Sequence, residues 1–129
     1  MVGTLGTVSV VERLTAGSTL TRVQLQTLQL QMGVKSGGIT LGQAASQRTG
    51  GRKGGPVTIG AYYRVLKQAR ANVRASIMTV LAAMQLGYVK FEDIARLLEL
   101  VGRGPAELSE EDAERLMGVL KALLDRIVT

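Results

Sequence analysis

Between residues 36 and 75 the chain carries seven cations, Arg48, Arg52, Lys53, Arg64, Lys67, Arg70 and Arg74, and no carboxylate. The first 35 residues have a net charge of +2 and residues 76–129 one of −3, so the overall +6 comes mainly from this one segment. Guanidinium and ammonium groups gathered without counter-charges are suited to holding anions. A patch of one sign beside an acidic half is the pattern of an anion-binding surface. A polyanion such as nucleic acid suits it best, and a solvated basic helix with no partner is the plain alternative.

Other chemistry has little to work with. The chain has no His and no Cys, which removes the commonest general base, the thiolate nucleophile and the usual zinc ligands. Paired carboxylates in a cleft could still do acid–base work. Glu110, Glu111, Asp112 and Glu114, however, cluster at the start of a terminal helix, where they complement its dipole. No catalytic residue, metal or cofactor is therefore expected. The stretch TGGRKGGP at 49–56 is Gly-rich and carries Arg52 and Lys53, but it lacks the GxxxxGK[ST] order of a phosphate-cradling loop.

The elements that must hold these cations follow from periodicity. Val8, Val10 and Val11 suggest a short strand or an irregular arm. Ser18 or Thr19 can cap a first helix over about 19–32, with Gly33 near its end. Ser36-Gly37-Gly38 breaks the chain, and a short helix over 40–48 with Thr40 as its cap follows. Thr58 can cap a long helix from about Ile59 to Gly87. At ~100° per residue, Tyr62, Val65, Leu66, Ala69, Val73, Ile77, Val80 and Met84 fall on one face of that helix. Arg64, Lys67, Arg70 and Arg74 fall on the other. The stripe stops at Arg74, and Ala75 to Ala83 is almost wholly apolar. Phe91, Ile94, Leu97, Leu98 and Val101 make a further apolar face, stopped by Gly102-Arg103-Gly104-Pro105. Ser109 with Asp112 marks the cap of a last helix, whose apolar stripe runs from Ala113 through Leu116, Met117, Leu120, Leu123 and Leu124 to Ile127.

This order suits a helix-turn-helix reader, in which the second helix lies in the major groove and the preceding helix and turn meet the backbone. Three segments, LTRVQLQTLQLQMG, ITLGQAASQRTGG and VTIGAYYRVLKQA, resemble winged helix-turn-helix regulators of the PadR and MarR type. The resemblance covers residues 20–74 and implies duplex DNA as the ligand. It departs after the recognition helix: residues 75–87 keep helical periodicity and have no hairpin turn, so wing contacts are not carried over. Arg64 and Lys67, in the first turns, are placed to reach base edges, with Tyr63 and Gln68 bordering them; Tyr63 could equally be core. Arg70 and Arg74 continue the stripe. Arg48, Arg52 and Lys53 read as phosphate clamps, and Thr58 as a phosphate donor or a plain N-cap.

The expectation is thus a mainly α protein with a helix-turn-helix (winged-helix-like) core, a long recognition helix and a C-terminal helical dimerisation segment. Residues 1–74 form the DNA-binding region and 75–129 the packing and dimerisation region of one compact domain. The function expected is duplex DNA binding by a transcriptional regulator. A non-specific chromosome-associated or structured-RNA-binding architectural protein is the alternative, and a helical module meeting an acidic protein a further one. Four aromatic residues give no stacking platform for single strands. The partners expected are double-stranded DNA and a second copy through residues 75–128, with no membrane, since no apolar run approaches ~18 residues. The start reads as mature protein rather than a signal peptide, which points to the cytoplasm and the nucleoid. The absent His and Cys and the single Asn72 suggest a heat-adapted source, against which stand eight Gln.

Overall fold

The computed structural model describes residues 6–48 and 55–128. The protein is mainly α: β1 (Val8–Ser9), α1 (Val10–Ala16), α2 (Arg22–Lys35), α3 (Leu41–Gln47), α4 (Ile59–Leu86), α5 (Phe91–Leu97) running into a π-turn at Leu98–Gly102, β2 (Glu107–Leu108) and α6 (Glu110–Ile127). Two compact units share the chain. One is Ser18–Ser76; the other joins Met1–Gly17 to Ile77–Thr129.

In the unit Ser18–Ser76, α2 and α3 are started by the same device. Thr21 accepts from the Gln24 amide and Gln24 reaches back to the Thr21 amide; Thr40 and Gln43 repeat the exchange. These are capping boxes, which satisfy two otherwise orphaned donors each. The cap of α2 is therefore Thr21, not Ser18 or Thr19. Ser18 instead accepts from the Leu20 amide, and Thr19 is held by Asn72. α2 runs past Gly33 to Lys35 and ends at Gly37, whose φ of 82° only glycine adopts cheaply. There the Gly37 amide bonds Val34 O and the Gly38 amide bonds Gly33 O, a Schellman closure.

Ala44 and Ala45 of α3 are buried against Tyr62 and Leu66 of α4, with Leu28, Leu30, Val34, Ile39, Leu41 and Val57 packed around them. The alanines on α3 and the large side chains on α4 interlock, as close helix packing requires. The expected apolar face of α4 is divided by the structure. Tyr62, Leu66 and Ala69 are buried, whereas Val73, Ile77 and Val80 are exposed.

In the other unit the described part of the N-terminal segment forms β1 and α1. Val8 pairs with Leu108 and Ser9 with Glu107, antiparallel, and the Val10 amide bonds Ala106 O. Ser9 then caps α1, which packs on α6. The helix was hidden because its start lies in a β-branched run. Among the described residues here, Val10, Val89, Ala113 and Leu120 are the buried hydrophobics, and Thr15 is buried too. Phe91 and Leu98, expected on an inward face, are exposed. α4 ends at Gly87 (φ 84°) in a second Schellman closure, Gly87 amide to Met84 O and Tyr88 amide to Ala83 O. No hairpin follows α4; the helix simply runs on to Leu86. Ser109 caps α6 by accepting from the Asp112 amide, and Arg115 pairs with Glu111 and Asp112 in the first turns.

Candidate nucleic-acid interface

The unit Ser18–Ser76 contains nine basic residues and no Asp or Glu. Every ion pair among the described residues lies in the other unit: Arg13 with Glu110, Arg96 with Asp93, Arg103 with Glu99, and Arg115 with Glu111 and Asp112. The division of the fold thus separates the charges more sharply than the 36–75 segment did.

α4 supplies the described part of the surface. Arg64, Lys67, Gln68, Arg70 and Arg74 are all exposed, while Tyr62, Leu66 and Ala69 on the adjoining side are buried. From Arg64 to Arg74 the four cations extend over ~15 Å of helix, at 1.5 Å per residue. An open groove runs along this face, lined by Tyr63, Leu66, Lys67, Arg70 and Arg74. Arg64 and Gln68 lie outside its lining, one step further round the helix. Tyr63 is half exposed and stands edge-on to the buried Tyr62, ring centroids 6.5 Å apart. That decides its placement at the surface rather than in the core.

Thr58 begins α4 by accepting from the Ala61 amide at 3.1 Å, the geometry of a plain N-cap. Arg52 and Lys53 lie outside the described residues. Arg48 is not where a phosphate clamp should be. It follows the last residue of α3, is 4% exposed, and donates from Nη1 to the Thr27 hydroxyl at 3.4 Å; its Nε has no hydrogen-bond partner among the described residues. For Arg48 the clamp reading fails because its side chain is buried against Thr27, a contact 21 residues away in the chain.

Sequence reasoning missed the polar interior that Arg48 joins. Thr27 is fully buried, donates to Val23 O at 2.8 Å, and presents its hydroxyl to Arg48. The Tyr62 hydroxyl lies 3.0 Å from Gln31 Oε1 and 3.3 Å from Thr27 O, sharing its proton between them. Burial pushes the Tyr62 phenol above its usual 10.0, opposed by the positive charges of Arg48 and Arg70. A second network sets the start of α2 against α4. Asn72 Nδ2 donates to Thr19 O at 2.7 Å and to Gln24 Oε1 at 3.0 Å, and the Thr19 hydroxyl donates to Asn72 Oδ1 at 2.6 Å. The T-x-x-Q pattern at Thr21 was the one legible signal, since Gln24 serves both the cap and this network.

Compared with known protein families, with curated proteins and with solved structures, the chain matches none.

Proposed function

We propose that this protein binds double-stranded DNA through α4 of the Ser18–Ser76 unit, in the manner of a helix-turn-helix reader, as a transcriptional regulator. One observation carries the reading: a compact unit with nine cations and no carboxylate presents Arg64, Lys67, Arg70 and Arg74, with no ion pair among the described residues, on one exposed side of a helix. Such a surface has no counter-charge of its own and gains by displacing the counterions of a polyanion. A single helix fits the major groove, ~12 Å wide. α3, with Ala44 and Ala45, is the supporting helix that α4 leans on, and the buried side of α4 leaves its cations free to face outward.

Two features set it apart from the winged pattern. α3 and α4 are separated by residues 48–58, longer than the 3–4 residues of a tight helix-turn-helix. α4 continues where a wing would fold. The protein therefore reads DNA with the helix and, through Arg52 and Lys53, with the long connection, and it makes no wing contact. A non-specific architectural role is favoured by the same charge pattern and differs only in base discrimination.

Affinity for a duplex measured across salt tests the proposal. Wild type should show a steep loss with salt, and the double variant Arg70→Ala, Arg74→Ala should reduce the slope of log affinity against log salt by about two. A slope unchanged in that variant would remove α4 from the interface. A preference for selected over random duplex above ~10³ supports the regulator; a ratio near one supports the architectural role.

A further inference from the structure

Residues 75–89, from Ala75 to Val89, form a run of fifteen positions without a charged side chain. The second unit holds most of its helical part, Ile77 to Leu86. Ile77, Met78, Val80, Leu81 and Leu86 are each between 38% and 75% exposed, and only Ala83 and Met84 are half-buried. These exposed side chains face several directions around the helix. A helix apolar around its circumference is a helix meant to be enclosed. The rest of the unit does not enclose it. Among the described residues, four hydrophobic residues of this unit are buried while thirteen large ones are exposed.

We propose that a second copy of this chain covers the C-terminal part of α4, the two helices packing on one another about a two-fold axis. Three observations favour this occupant. A two-fold contact brings a patch against itself, so a charge near the axis would meet its like, and this run has none. All the charges of residues 76–129 fall at Lys90 and beyond, which leaves them for the rim. Apolar composition with Leu and Met and without charge is that of a permanent homodimer interface, which takes about 800 Å² or more from each partner. A lipid bilayer is a poorer fit, because a spanning helix needs ~20 apolar residues and no helix among the described residues is long and apolar enough to cross. The contact is independent of the nucleic-acid reading, since it uses none of Arg64, Lys67, Arg70 or Arg74.

The experiment is sedimentation of the full chain at micromolar concentration without DNA, beside Met78→Glu and Leu81→Glu. Wild type should sediment as a dimer. Each variant should sediment at half that mass with its helical circular dichroism retained, because both side chains are exposed in the single chain. A variant that loses its helicity is replaced by a second measurement. The chain has no cysteine, so Leu81→Cys can be treated with a short bis-maleimide and should give a covalent dimer, whereas Gln29→Cys on α2 should not. A monomeric wild type, dimers that survive both Glu substitutions, or equal cross-linking at both positions would overturn the proposal. A monomer that binds neutral phosphatidylcholine vesicles through this segment would put a lipid surface in place of the second copy.

Discussion

The Arg48 guanidinium lies inside the Ser18–Ser76 unit with Nη1 3.4 Å from the Thr27 hydroxyl, and the unit has no carboxylate to pair with it. A buried charge held by one long hydrogen bond recovers little of its desolvation cost. Arg48→Met, which keeps the length of the apolar stem, should therefore leave stability unchanged or raise it by about 1 kcal/mol. Arg48→Ala, which also deletes the stem, should cost about 1–3 kcal/mol. Urea titration of both variants checks this. A loss above about 2 kcal/mol for Arg48→Met would mean that the charge itself holds the unit together.

Tyr62 gives the pH dependence. Its phenol titrates above 10.0 in the fold because burial disfavours the phenolate. The unfolded chain then releases this proton at lower pH than the native state. The stabilising contribution is fully present below pH 10.0 and is lost as pH rises through the native value. Tyr62→Phe should cost about 1 kcal/mol at neutral pH, by removing the bonds to Gln31 and Thr27, and should flatten the alkaline fall in melting temperature. An alkaline limb as steep in Tyr62→Phe as in wild type would assign it to another group.

Asn72 joins α4 to the start of α2 through Thr19 and Gln24. Asn72→Ala removes two donated bonds and leaves the Thr19 hydroxyl to find a new acceptor, and it should cost about 1–2 kcal/mol. Because the network is partly exposed, water can replace some of it, which keeps the expected cost at the low end. Hydrogen exchange at the Thr21 and Gln24 amides should quicken in the variant if the network supports the α2 cap.

Leu120 of α6 is buried, whereas Leu124, one turn on, is exposed. Leu120→Glu should unfold the second unit, since an unpaired buried charge costs several kcal/mol. Leu124→Glu should leave the melting temperature of the single chain within a few degrees of wild type. Equal destabilisation by the two would place Leu124 in an interface.

Within the proposed reader, Arg64 and Arg74 should differ. Arg64 lies in the second turn of α4, where base edges come within reach, and Arg74 four turns along. Arg64→Ala should reduce the preference for the best duplex site by about 1–3 kcal/mol, while Arg74→Ala should weaken all duplexes alike. Competition between selected and random duplexes reads this directly. Equal losses for both variants would leave only backbone contacts.

The elements were legible where the chain states them locally. The long helix from Ile59, the Thr40 cap, the Ser109 cap and the break at Ser36-Gly37-Gly38 all follow from residues within four positions of one another, which is the range over which helix capping and turn formation act. The cationic stripe was legible for the same reason: helical periodicity alone sets which side chains share a face. What only the tertiary structure decided involves distant residues. Strand pairing between Val8 and Leu108 made the N-terminal arm part of the C-terminal unit, and left a unit without a single carboxylate. A contact from α3 to Thr27 took Arg48 out of solvent, although its loop setting suggested a clamp. Packing likewise split one continuous apolar stripe on α4 into a buried front, Tyr62, Leu66 and Ala69, and an exposed stretch, Val73, Ile77 and Val80. Periodicity shows which side of a helix is apolar, but burial depends on whether another element arrives there, and that is fixed by long-range contacts.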